Sequence, residues 1–201
     1  MVLINQELIP KQEKGSHVDI LENKTFGLDS EAILFYKNMK VRLLDINNWH
    51  KVCKSTLSKF YLVDSNNQLI EGNPKIGLYI KIDIPGPSTK MGAGFDWVII
   101  RNVTYIEEIN YQAIYIVVQP VPNPINNGQD TSHFYTADAS STFIISRAGN
   151  TVKAEVHGRN EIVNSQTSII SDNLRNMIVG MSAKVGFSYP QWKSLAKGLI
   201  A

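Results

Sequence analysis

The chain has 201 residues, 43% of them hydrophobic and 19% charged, a globular composition that is neither disordered nor collagen-like. A chain of that length can bury roughly 70% of the surface its unfolded form exposes, so one domain, 1–201, needs no disulfide or metal staple. The lone cysteine, Cys53, excludes an internal disulfide and favours a reducing, cytoplasmic compartment, and a net charge of +2 with scattered basic residues argues against nucleic acid as a partner.

Residues 1–28 are poorly defined by pattern, and they lack the basic start and apolar run of a signal peptide. Residues 29–53 read as helix in two pieces, with Asp29 or Ser30 as N-cap and Asn47-Asn48 as the break before Trp49. The period then changes to two. Residues 59–64 form a predicted strand ending in the turn Asp64-Ser65-Asn66-Asn67. Residues 75–84 form the next, with Ile76, Leu78, Ile80, Ile82 and Ile84 on one face and Tyr79, Lys81 and Asp83 on the other. Pro85-Gly86-Pro87 stops it, and Gly92-Ala93-Gly94 precedes a strand over 95–105 whose alternation sets Phe95, Trp97, Ile99 and Arg101 on one side. Residues 111–119 are apolar on both faces, as a strand covered twice or an interface strand would be. The uncharged stretch over 109–129 carries three prolines and is not a transmembrane helix. A long connection follows over 120–139, long enough to be functional. Residues 142–157 form a hairpin with its turn at Gly149-Asn150, which puts Phe143 and Ile145 on one face with Val152, Ala154 and Val156. Thr142, Ile144 and Ser146 share the other with Lys153, Glu155 and His157.

The end of the chain, 167–201, is helical. Ile170, Leu174, Met177, Ile178 and Met181 form an apolar stripe, expected to pack on the sheet, opposite Asp172, Arg175 and Lys184. Pro190 suits the first turn of a further helix carrying Trp192, Leu195 and Leu199. The order is helix, six strands, helix, an α+β domain on one antiparallel sheet.

Catalytic chemistry has little to stand on. Glu155, His157 and Arg159 alternate on one strand face, so a carboxylate lies beside a histidine, but that face reads as solvated. The four histidines lack metal-ligand spacing. Cys53 has no nucleophile motif around it, and Gly92-Ala93-Gly94 is followed by a strand where a dinucleotide fingerprint needs a helix. No metal, cofactor or catalytic motif is read.

Several stretches resemble the START domains and the wider Bet v 1-like helix-grip (SRPBCC) superfamily: Asn47-Asn48-Trp49-His50, Pro85-Gly86-Pro87 with Asp96-Trp97-Val98-Ile99-Ile100-Arg101, Val118-Gln119-Pro120-Val121-Pro122, and the hairpin and helix after them. Phe95 departs from the arginine usual before the aspartate, and Tyr189-Pro190 splits the last helix. The resemblance implies a curved antiparallel sheet wrapped around a long C-terminal helix, with a cavity between them for a lipid or other apolar or amphipathic small molecule. Asp83, Trp97, Ile99, Arg101, Tyr115, Phe143, Ile145, Met177 and Met181 are the expected ligand-binding residues. Arg101 either meets Asp83 or a ligand head group in that cavity, or reaches solvent at its rim. Two other readings stay open: a cyclase- or hydrolase-like enzyme of the same superfamily using Glu155 and His157, and a self-associating protein, a homodimer through 111–119.

Overall fold

The computed structural model describes residues 8–53, 58–85, 88–126, 130–185 and 188–201, with the helical backbone alone at 178, 180–185, 188 and 189. Seven strands form one open antiparallel sheet: β1 (Ser16–Thr25), β2 (Lys59–Val63), β3 (Tyr79–Asp83), β4 (Asp96–Glu107), β5 (Tyr111–Pro120), β6 (Ser140–Ala148) and β7 (Thr151–Glu161). Their order across the sheet is β1-β7-β6-β5-β4-β3-β2. The helices are α1 (Asp29–Leu44), α2 (Trp49–Val52), α3 (Ile170–Val185) and α4 (Ser188–Leu199).

Six strands fall within the stretches the period of two marks out, although β3 is confined to 79–83 and leaves Ile76 exposed in the turn before it, and the hairpin turns at Gly149-Asn150 with Ala148 opposite Thr151. The seventh, β1, comes from the segment that sequence left undefined. It pairs along its length with β7, Asp19 opposite His157 and Leu21 opposite Glu155. Ile20 is its one buried residue, so there was almost no alternation to read. Asn47 ends the first helical run by turning to the sheet: its side chain accepts from the Leu62 amide at 2.8 Å and donates to the Ile70 carbonyl at 3.0 Å.

One face of the sheet carries the main core. Ile80, Ile82, Val98, Ile100, Phe143 and Ile145 meet Met39 and Leu43 of α1 and Leu195 and Leu199 of α4. Trp49 anchors this inner layer, its ring 4.7 Å from Phe143 and 5.5 Å from Phe60, while Phe143 also meets Trp192 at 5.1 Å. The C-terminal helix gripped against the sheet is α4, with α1 beside it. Burying a side chain such as Leu195 stabilises the fold by about 1.5–3 kcal/mol.

Strand β5 explains its own composition. It lies fourth of seven, with Ile114 and Ile116 in the main core and Ala113 and Tyr115 in a second cluster that Leu8 and Ile9 pack against. A strand in that position is covered on both faces and offers no edge, so the reading of 111–119 as a dimer interface is corrected. Among the described residues, no helix is long and apolar enough to cross a membrane.

Candidate functional site: a pocket on a buried polar frame

The nine expected ligand-binding residues do not converge. Phe143 and Ile145 are buried in the inner core. Trp97, Ile99 and Tyr115 belong to the opposite face: Val98 and Ile100 point into the core, so their odd-numbered neighbours point away. Trp97 Nε1 donates to the Gly92 carbonyl at 3.0 Å, and the Tyr115 and Tyr111 hydroxyls lie 3.2 Å apart. Asp83 sits at the end of β3 opposite Lys59. Arg101 occupies a bulge between Ile100 and Asn102, is exposed, and donates through Nε to Gln119 Oε1 at 2.9 Å. No contact joins it to Asp83; the rim alternative is the one observed. Met177 is exposed, and the Met181 side chain lies outside the described residues.

The reason for the Met177 correction is the orientation of α3. Ile170, Leu174 and Met177 are exposed, while Asp172, Arg175 and Asn176 are buried. Each has partners that sequence periodicity could not supply. Asp172 accepts from Thr89 Oγ1 at 2.8 Å and from the Lys90 and Met91 amides, both at 2.9 Å. Arg175 makes a two-pronged pair with Asp96, one arm Nη1 to Oδ1 at 2.9 Å, and Asp96 Oδ1 also accepts from the Phe134 amide at 3.0 Å. Asn176 donates to the Asn164 carbonyl at 2.8 Å, and Asn164 in turn donates to the carbonyls of Thr131 and His133. A buried arginine needs polar partners, and for Arg175 they include the Asp96 carboxylate. His133 lies in the same frame, with Nδ1 accepting from the Tyr135 amide at 3.0 Å; burial pushes its pKa down to about 4, so it is neutral.

Against this frame stands a pocket of about 330 Å³, lined by Lys90, Met91, Asn123, Asn126, Asp130, Ser132, Ser168 and Ile169. Three segments build it. The 89–91 turn is held by Asp172. Ser132 is fixed by the Trp97 amide donating to its carbonyl at 2.8 Å and by its own amide donating to Val121 at 3.0 Å. The approach to α3 is tied by Asp130, which accepts from the Ser168 amide and hydroxyl; those bonds hold its carboxyl below its ordinary pKa. The long 120–139 connection thus supplies one wall. Of the lining residues only the connection as a whole was singled out in sequence, because the walls come from turns, where no periodicity exists.

The outer-face cluster is a different object. His157 Nδ1 lies 2.5 Å from Asp19 and Nε2 3.2 Å from Glu155, and Arg159 meets Asp19 at 2.7 Å. A ring with a carboxylate on each nitrogen satisfies both when both carry a proton. Burial works to lower the His157 pKa, but the hydrogen bonds to Glu155 and Asp19 outweigh it and the net shift is upward. The expectation of a solvated histidine is corrected: β1 pairs with β7 in the sheet, and its Asp19 and the neighbouring Glu155 bracket the largely buried His157 ring. Among the described residues no group of His, Cys, Asp or Glu is arranged to hold a metal, and Cys53 is buried, with burial pushing its thiol pKa to about 11.

No protein-family model and no curated protein matches the chain. Solved structures do. A hypothetical protein from Helicobacter pylori is similar over 97% of this chain and 91% of its own, at 12% identity and a TM-score of 0.48. Ara h 8.0201 matches over 92% and 99% at 12% identity and a TM-score of 0.36, and the ginseng major latex-like protein 151 from Panax ginseng over 85% and 98% at 9% identity and 0.34. The architecture is an α+β helix grip. That statement rests on the sheet order and on the helices that pack across its inner face.

Proposed function

We propose that the chain binds an amphipathic small molecule in the pocket between the end of the sheet and the start of α3. The supporting observation is the lining: Met91 and Ile169 offer apolar surface, while Lys90, Asn123, Ser132 and Ser168 offer polar groups around the same space. Its volume lies at the lower end of the ~300–1,000 Å³ typical of small-ligand sites. The walls are set in advance by Asp172 and the Asp96–Arg175 pair, so little ordering is lost on binding.

Titration with 1-anilinonaphthalene-8-sulfonate, an amphipathic anion, tests this. The wild-type protein is expected to bind it saturably, and Ile169→Trp or Met91→Trp, which fill the pocket, to weaken binding at least about tenfold, or 1.4 kcal/mol. Equal binding by wild type and both variants would remove the pocket as the site. Organic extraction of the purified protein and mass spectrometry would then identify the natural occupant.

A further inference from the structure

The polar groups that the pocket leaves unused are not evenly divided between donors and acceptors. Its most buried lining residues are Asn123 and Ser132, each 2% exposed. Asn123 accepts from the Ile125 amide through Oδ1 at 3.1 Å, which fixes the orientation of its side-chain amide. Its Nδ2 keeps two N–H groups that no described residue accepts from. The Ser132 hydroxyl oxygen accepts from the Asn123 backbone amide at 3.3 Å, and its proton has no acceptor among the described residues. A buried donor without an acceptor is costly, so these two neighbours mark where a ligand oxygen gains most.

The other polar groups of the lining point the same way. Lys90 is exposed and makes no ion pair among the described residues, so its ammonium is available to an anion. Asn126 spends its Nδ2 on the Met91 carbonyl at 3.0 Å. Asp130 turns one oxygen to the Ser168 amide and hydroxyl, and Asp172, behind the 89–91 turn, is spent on three donors. The acceptors left over belong to Asn126, which is exposed, and to Asp130, which is partly so, and water meets both. What the fold leaves unmet is buried donor capacity, with one cation in the same lining.

The geometry points to a carboxylate as the head group of the ligand. Its oxygens accept from Asn123 Nδ2 and Ser132 Oγ, Lys90 meets its charge, and the apolar body lies on Met91 and Ile169. A carboxylate only accepts and offers about four lone-pair sites, whereas an amide also donates and an ammonium accepts nothing. The ligand class is therefore a small monocarboxylic acid with an apolar tail. This deepens the small-molecule reading and rests on it.

Calorimetric titration at about pH 7 with octanoate, octanamide and octylamine varies the head group on a constant tail. The wild type is expected to bind octanoate at least about tenfold more tightly than either of the others. Asn123→Asp keeps the oxygen that the Ile125 amide needs and replaces the two donors with a second carboxylate oxygen. It should weaken octanoate at least about tenfold and strengthen octylamine. Ser132→Ala and Lys90→Gln should each weaken octanoate about three- to tenfold and leave octylamine unchanged, which keeps the test intact if Asn123→Asp does not fold. A wild type that binds octanoate no better than octanamide or octylamine overturns the inference, as do folded variants that keep the full preference for octanoate. If Ile169→Trp and Met91→Trp abolish binding of 1-anilinonaphthalene-8-sulfonate while that preference is absent, the pocket stands and the carboxylate assignment alone falls. Octanoate binding that both filling variants leave unchanged overturns the pocket as its site, and this inference with it.

Discussion

The two helices at the end of the chain have similar sequence patterns and opposite placements. Helix α4 buries Leu195, Ala196 and Leu199 against the inner core and leaves Lys197 exposed, as amphipathic spacing dictates. Helix α3 buries Asp172, Arg175 and Asn176 and exposes Ile170, Leu174 and Met177. Hydrophobic burial is nondirectional, so it ordinarily decides which face turns inward. It loses here because the inward side meets a carboxylate in Asp96 and a ring of donors at 89–91, which make the buried charges affordable. Which face of a helix is buried depends on what the rest of the fold offers it, and that is a tertiary property.

The contrast can be broken at either helix. Arg175→Met removes one half of the pair and leaves Asp96 buried without its cation, so urea denaturation should show a loss of about 3–5 kcal/mol. Leu195→Ala empties a packed site and should cost about 3 kcal/mol in the same assay. At Gly198 an added Cβ runs into the Val52 carbonyl, where α4 crosses close to α2, so Gly198→Ala should cost about 1–3 kcal/mol. Leu174→Ala, on the exposed stripe, should change stability by less than about 0.5 kcal/mol.

The smallest effects are in pH dependence, where two histidines act in opposite directions. His133, held down to about 4, binds its proton more readily unfolded than folded; stability therefore falls as pH drops from about 6.5 to about 4. His157 is raised, so its contribution is complete below the unfolded value and is lost as pH climbs through the folded one. Thermal midpoints across pH should lose the acid-side slope in His133→Asn and the slope above pH ~6.5 in His157→Gln. Parallel curves for wild type and both variants would contradict these protonation states.

What sequence made legible follows the same division. Strands β2 to β7 were readable because one or both faces are buried, and β5 announced its central place through doubly apolar composition. Edge strand β1 was not, with Ile20 alone inside. The need for an arginine among apolar groups to find a polar partner was readable; that Arg175 is buried on Asp96 while Arg101 is exposed was not. A bulge after Ile100 breaks the alternation that placed Arg101 inside, and the partner of Arg175 lies 79 residues away at Asp96. The pocket was invisible because its walls are turns whose shapes are fixed by Asp172, Asp130 and Asn164 from elsewhere in the chain.

Thiol labelling in dilute native solution reports most directly on the reversed helix. Leu174→Cys and Leu195→Cys each place a new thiol on one of the two stripes, and Cys53 provides a buried reference in both. Leu174→Cys should react with an aromatic disulfide reagent at the rate of an exposed cysteine, while Leu195→Cys and Cys53 react only as the protein unfolds. A Leu174→Cys thiol as slow as Cys53, in a variant that remains folded and monomeric, would mean that the stripe of α3 faces the sheet after all.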